Sequence, residues 1–120
     1  MDNYYTIRQD VLNFVQENYG TEPEYLWVKT PDTCVFRNHK GKWYGIIMDL
    51  PKAVFDLGEG YLDVLNVKIQ PDNRDMLLIQ EGFFPAYHMN KKHWITILLD
   101  GTVDMDTIGD LLDKSYDLTI

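Results

Sequence analysis

The sequence predicts an α+β domain in which helices pack on one side of an antiparallel β-sheet. Segments with helical and strand-like periodicity follow one another in the order helix, three strands, helix, two strands, helix. Hairpin connections dominate, and strands do not alternate regularly with helices, which argues against a doubly wound parallel sheet. Helices confined to one side leave the other face of the sheet partly free.

The first helix is predicted to begin within residues 3–6 and to end near Tyr19. Its apolar stripe repeats at helical spacing and consists of Ile7, Val11, Phe14 and Val15. Residues 6–9 fit a capping box, and Asn3 is a competing start. Gly20 follows where a left-handed C-cap residue is expected.

β-Branched and aromatic residues mark the strands. The predicted strands of this order are 34–37, 42–48, 61–69, 83–87 and 94–99, and residues 27–29 are a short further candidate that Pro31 ends. Residues 38–41 are polar with a late glycine and connect two of these strands as a hairpin. In the strand 61–69, alternation directs Leu65, Val67 and Ile69 to one face and Val64, Asn66 and Lys68 to the other.

A short second helix is expected after Pro71, because proline suits a first helical turn, and Gly82 is expected to end it. Its predicted buried residues are Met76, Leu77 and Ile79. The last helix is expected to begin between Thr102 and Asp104. Its predicted buried side consists of Met105, Ile108, Leu111 and Leu112, and its acidic residues Asp106, Asp110, Asp113 and Asp117 face away.

The last strand is expected to anchor the core. Alternation places Ile97 and Leu99 on one face of that strand and Trp94 on the other. We expect these residues to pack with the core residues Phe14, Ile46 and Leu111.

Length and composition predict one soluble domain spanning residues 1–120. The lone cysteine, Cys34, excludes an intramolecular disulfide and any multi-cysteine metal site. No apolar run approaches the roughly 18 residues of a membrane span. The first residues have neither the basic nor the apolar region of a signal peptide, so we expect a cytoplasmic protein. We also expect a monomer without a membrane partner.

The net charge of −8 is distributed unevenly along the chain. Residues 1–28 carry a net charge of −4 and residues 100–120 carry −5, whereas residues 29–99 carry +1. The chain is therefore acidic at both ends and slightly basic in the middle. An overall charge of this sign repels nucleic acid at long range, so any contact with phosphate has to come from a local basic surface.

Two basic clusters are the candidate nucleic-acid contacts. The hairpin cluster consists of Arg37, His39, Lys40 and Lys42, and the loop cluster consists of His88, Asn90, Lys91, Lys92, His93 and Trp94. Lysines can contact phosphates, and aromatic residues such as Tyr87 and Trp94 can stack on bases. The alternative for each cluster is an ordinary solvated turn, in which asparagine and histidine hydrogen-bond the loop backbone. The two clusters can act as one binding surface only if they lie on the same face of the molecule.

Catalytic motifs are missing from the sequence. His88 and His93 are five residues apart, which is not the spacing of a helical metal-binding pair, and no further ligands complete a site. The sequence contains no nucleophile elbow, phosphate-binding loop or dinucleotide fingerprint. It therefore predicts a binding module rather than an enzyme, with no cofactor and no tight metal site. A protein or peptide partner for a free sheet face or edge is the alternative to DNA.

Three stretches carry a resemblance to a known family. They are 19–27 with its continuation through Phe36 to Asp49, residues 64–68, and residues 82–94 followed by Asp100 and Gly101. In these stretches the chain resembles the MmcQ/YjbR family of small bacterial proteins. The resemblance implies a two-layer α+β sandwich ordered α-β(3)-α-β(2)-α. It also implies DNA binding, and it supplies no catalytic residues.

Overall fold

The computed structural model describes residues 7–120. The helices and strands are α1 (Arg8–Tyr19), β1 (Cys34–Arg37), β2 (Trp43–Pro51), β3 (Tyr61–Lys68), α2 (Arg74–Leu78), β4 (Phe83–Pro85), β5 (Trp94–Leu98) and α3 (Met105–Thr119). Single turns of 3-10 helix at Lys52–Phe55 and Pro71–Asn73 precede β3 and α2. The α+β class and the predicted order of elements are confirmed.

The five strands form one antiparallel sheet in the order β1-β2-β3-β5-β4. The first three strands form a meander of neighbouring hairpins. Helix α2 then connects the end of β3 to the start of β4, which lies at the opposite end of the sheet. Strand β4 is the far edge strand and pairs with β5. Since β5 lies between β3 and β4 and is antiparallel to both, β3 and β4 run in the same direction.

One face of the sheet and the helices α1 and α3 enclose the main core. Ile97 and Leu99 lie in this core, as the alternation of their strand predicts, together with Leu111 from α3. Phe14 of α1 is half-buried and packs against it. Trp94 is half-buried, and its position in β5 is in phase with residues of the opposite face.

The opposite face of the sheet carries a second, smaller core. It consists of Leu50, Phe55, Leu62, Val64 and Leu98. Phe55 comes from the 3-10 turn after β2, so this turn covers part of the face that the helices leave open. Ile46 is buried but lies outside the main core, so its predicted packing with Phe14 and Leu111 is wrong.

The shared face of Trp43 and Ile46 follows from an irregularity in the β1–β2 hairpin. Phe36 pairs with Gly45, but the next residue, Arg37, pairs with Trp43, so β2 has one residue more than its partner at this point. Such a bulge changes the phase of the alternation. Trp43 and Ile46 consequently share the face away from the helices, although their sequence spacing places them on opposite faces of a regular strand.

Gly45 allows the ring of Phe36 to lie directly over the bulge. A Cβ atom at position 45 would lie 2.6 Å from Cδ2 of Phe36, which is well inside van der Waals contact. We expect Gly45→Ala to lower the free energy of unfolding by about 1–3 kcal/mol, because a well-packed core resists added volume. A denaturant titration measures this change. The loss should shrink in a Phe36→Leu background, and an equal loss in both backgrounds would contradict the steric explanation.

Helix α1 begins at Arg8, after an extended Ile7 (φ −124°, ψ 169°). The predicted start at residues 3–6, including Thr6 of the capping box, lies outside the described residues. Because Ile7 precedes the helix, it does not join the buried stripe and is half exposed, in contrast to the prediction. Gly20 adopts the left-handed conformation (φ 66°) and ends the helix as predicted.

Two further predictions about local structure are wrong. Residues 27–29 form no strand, and Val28 is almost fully exposed, because Pro31 follows and no neighbouring strand is available to pair with this segment. In the short helix α2, Met76 and Ile79 are exposed. Leu77 packs against the core as predicted, and Leu78 joins it in place of Met76 and Ile79.

Candidate nucleic-acid interface

Three connections meet at the same end of the sheet. The register aligns the end of β1, the start of β2, the end of β3 and the start of β5. The connections leaving these points therefore lie side by side. We call this surface the cationic end, and it comprises residues 37–43, 68–73 and 85–94. Both predicted basic clusters lie in it.

Charge is sorted between the two ends of the sheet. The three segments of the cationic end contain Arg37, Lys40, Lys42, Lys68, Lys91, Lys92 and all three histidines of the chain, with Asp72 as the one acid within them, while Glu24 and Asp117 approach this end from neighbouring segments. The connections at the opposite end, residues 52–60, 79–82 and 99–104, contain Asp56, Glu59, Glu81, Asp100 and Asp104, with Lys52 as their one base. The molecule is therefore acidic overall and yet presents a local basic surface.

Arg37 does not offer a free charge at the cationic end. Its Nε lies 3.0 Å from a carboxylate oxygen of Glu24, and Nη1 donates to the carbonyl of Gly41 at 3.0 Å. The guanidinium also lies over the ring of Trp43, 5.7 Å from its centroid. Arg37 thus fastens the hairpin and positions Trp43, and phosphate would have to compete with Glu24 for it.

Asn38 shapes the hairpin so that its lysines project into solvent. The Asn38 side-chain oxygen accepts hydrogen bonds from the backbone N–H groups of Lys40 and Lys42, at 2.9 and 3.1 Å. The side-chain nitrogen of this buried residue donates to the carbonyl and hydroxyl of Thr119 at the end of α3. The turn is therefore anchored from beneath, and both lysine side chains are exposed.

Asn90 has the same role in the loop cluster. Its side-chain oxygen accepts the backbone N–H groups of Lys92 and His93, at 2.9 and 3.2 Å. The carbonyl of Lys91 accepts a hydrogen bond from Nε of Arg74 at 2.8 Å. Asn90 therefore hydrogen-bonds the loop backbone, as the alternative of an ordinary solvated turn predicts. The side chains of Lys91 and Lys92 are exposed.

Four exposed lysines remain as free charges: Lys40, Lys42, Lys91 and Lys92. Within residues 7–120, none of their ammonium groups lies within ion-pair distance of a carboxylate. Two histidines among the predicted contacts are placed differently from these lysines. His39 is exposed and lies 3.2 Å from the Tyr116 hydroxyl, whereas His93 is half-buried at the start of the last strand.

An aromatic cleft of about 460 Å³ opens on the face of the sheet away from the helices. Its lining consists of Trp27, Thr30, Thr33, Trp43, Ile46, Met48, Asp49, Leu50, Tyr87, His88 and Met89. The rings of Trp27 and Trp43 meet edge to face with their centroids 5.9 Å apart. Burial, followed by the nearby carboxylates of Asp63 and Asp32, raises the pKa of Asp49 in the lining.

Buried polar side chains hold the Tyr87 wall of the cleft. Asn66 is fully buried and donates from its side-chain nitrogen to the carbonyl of Tyr87 at 3.1 Å. The N–H of Tyr87 donates to the hydroxyl of Thr96 at 3.0 Å, and this hydroxyl donates to the side-chain oxygen of Asn66. Next along the chain, His88 has a φ of 59°, a left-handed conformation that is uncommon for a residue with a side chain.

The one thiol of the chain lies in the core. Cys34 is fully buried, and burial raises the pKa of its thiol, so the group packs in the core as a small protonated side chain. In the part of the chain that the structure describes, no group of three or more histidine, cysteine, aspartate or glutamate side chains is arranged to hold a metal ion. No helix among the described residues is long and apolar enough to cross a membrane.

Sequence reasoning missed Lys68 at the cationic end, Arg74 beside it, and Trp27, Trp43 and Met89 in the cleft. One signal was available, because Asn66 and Thr96 are polar residues in the middle of otherwise apolar strands. A buried polar side chain requires a partner, and here the partner is the backbone of a cleft residue. The position of Trp43 had no such signal, since it depends on the bulge.

Fold and site define a two-layer α+β domain with a cationic end and an aromatic cleft on the sheet face. The family model for YjbR matches residues 16–118. The chain belongs to the YjbR family, as its sequence resemblance predicts.

Relatives and solved structures agree with this assignment. The uncharacterised protein YyaQ from Bacillus subtilis is 41% identical over 114 residues, which cover 93% of this chain and 97% of YyaQ. A crystal structure of a protein from Pseudomonas syringae superposes with a TM-score of 0.91 at 40% identity, covering 94% of this chain and 98% of that one. A protein from Deinococcus radiodurans superposes with a TM-score of 0.74 at 25% identity, covering 98% and 81%.

Proposed function

We propose that this chain is a nucleic-acid-binding module that contacts phosphates with the cationic end of its sheet. The observation that supports the proposal is the sorting of charge between the two ends of the sheet. Four exposed lysines from two separate connections, Lys40, Lys42, Lys91 and Lys92, are gathered there without carboxylate partners in the described chain. Lysines placed in this way attract a polyanion locally. Phosphate contacts that do not depend on nucleic-acid sequence rely mainly on such positive charges.

The edges of the sheet argue against the alternative of adding a peptide strand. At the β1 edge, the backbone N–H and carbonyl of Val35 are already bonded to Glu24, at 2.9 and 3.0 Å. The opposite edge, β4, is three residues long and ends in Pro85, which has no N–H to donate. Both edges are blunted in ways that proteins use against strand pairing.

Fluorescence anisotropy with a labelled duplex of mixed sequence tests the proposal across a range of salt concentrations. Four phosphate contacts predict a slope of log K against log salt of about −3 to −4. Replacing two of the lysines in the variant Lys91→Ala/Lys92→Ala should weaken binding and flatten this slope by about 2.

Lys52→Ala is the matched control, because Lys52 is the one base in the connections at the opposite end of the sheet. It should leave both affinity and slope unchanged. Equal effects of the Lys52 and Lys91/Lys92 changes would show that the cationic end is not the contact surface. Absence of binding to any nucleic acid at low salt would overturn the proposal and favour a protein partner for the sheet face.

A further inference from the structure

We propose that the aromatic cleft receives one unpaired base of a single-stranded nucleic acid, while the lysines of the cationic end hold the adjoining phosphates. The inference rests on the proposed function and makes it more specific, since it names the form of nucleic acid that is bound. It assigns a role to a cleft that phosphate binding alone leaves unused.

The cleft and the lysines are built from the same two segments of chain. Trp43 directly follows Lys42 at the start of β2, and its ring lines the cleft. On the other side, Met89 lines the cleft and is separated from Lys91 by a single turn residue. A strand whose phosphates lie against these lysines therefore has the mouth of the cleft within reach of its next base.

The lining of the cleft suits the flat apolar face of a base. Trp27 and Trp43 offer large ring surfaces, and Ile46 and Met48 of β2 add apolar side chains to the lining. Stacking of bases on aromatic side chains is the usual way in which proteins hold single strands without sequence preference. In a duplex each base is already stacked on its neighbours, so only an unpaired base can present a free face.

The walls are held in place before any ligand arrives. Hydrogen bonds from Asn66 and to Thr96 fix the backbone of Tyr87, and the ion-paired Arg37 lies over the Trp43 ring. A prearranged wall reduces the loss of side-chain freedom on binding. The left-handed backbone of His88 occurs at this wall, and strained residues of this kind concentrate at binding sites.

The test compares labelled single-stranded DNA, single-stranded RNA and duplex DNA of equal length and mixed sequence by fluorescence anisotropy. Single strands should bind more tightly than the duplex at the same salt concentration. Trp27→Ala removes a ring that lies outside every strand, and it should weaken single-strand binding about 5- to 150-fold, the range for loss of one base–aromatic stack. The salt slope and the affinity for duplex should not change.

Trp43→Phe tests the second wall with a conservative ring, and circular dichroism checks that each variant is folded. Tyr61→Ala is the control, since Tyr61 is an exposed aromatic residue at the opposite end of the sheet. Unchanged single-strand affinity in folded Trp27→Ala and Trp43→Phe would overturn this inference and leave the proposed function standing if the Lys91/Lys92 effect remains. Equal binding of single strand and duplex would also overturn it. Loss of all binding in wild type would remove both proposals.

Discussion

Ile97→Ala should lower the free energy of unfolding by about 2–5 kcal/mol. Ile97 is fully buried in the main core, and in the sheet it lies between Leu65 of β3 and Phe83 of β4. Removing its outer carbons leaves a cavity between the sheet and the helices that neighbouring strands cannot close. A urea titration followed by tryptophan fluorescence measures the change.

Ile79→Ala is the matched control for this substitution. Ile79 is about 85% exposed at the end of α2, so the same chemical change there should alter stability by less than about 0.5 kcal/mol. Comparable losses in the two variants would mean that the face assigned to β5 is wrong.

Asn66→Ala should destabilise the protein by about 1–3 kcal/mol for each polar group that loses its partner. Two groups are affected, the carbonyl of Tyr87 and the hydroxyl of Thr96. The second group is fully buried and has no access to water. The effect should be visible as a lower denaturation midpoint and as faster amide hydrogen exchange at Tyr87.

The double variant Asn66→Ala/Thr96→Val separates the hydrogen bond from the loss of packing. Removing both side chains should cost less than the sum of the two single changes, since the hydrogen bond between them is then lost once and not twice, while the carbonyl and the N–H of Tyr87 lose their partners to the same extent. Strict additivity would show that the two side chains act independently. Ile95→Val, a buried change on the other face of the same strand, serves as the control for packing alone.

The fold was largely predictable because most of its elements carry strong local signals. The hairpin connection at 38–41, the alternation within β3 and the long amphipathic α3 each agree with the packing that surrounds them. The predictions that were wrong concern short segments with weak signals. Residues 27–29 contain strand-forming residues, yet a strand also requires a neighbour, which only the tertiary structure can supply.

The meeting of the two basic clusters could not be predicted from local patterns. If β4 had followed β3 as a simple hairpin partner, the loop 86–93 would lie at the opposite end of the sheet from the turn 38–41. The crossing through α2 reverses this, and β3 and β4 run in the same direction with β5 between them. Strand order depends on contacts between distant parts of the chain, so it cannot be predicted from the local sequence of either cluster.

The sorting of charge among the loops at the two ends of the sheet gives the sheet layer an electric dipole along its strands. In the field of a polyanion, a dipole experiences a torque that turns its positive pole forward, while the net charge of −8 opposes approach. The two effects together favour one orientation and penalise every other. The excess of acidic residues is therefore compatible with binding to a polyanion, since it discourages contact through the rest of the surface and leaves the lysine pole as the point of first contact.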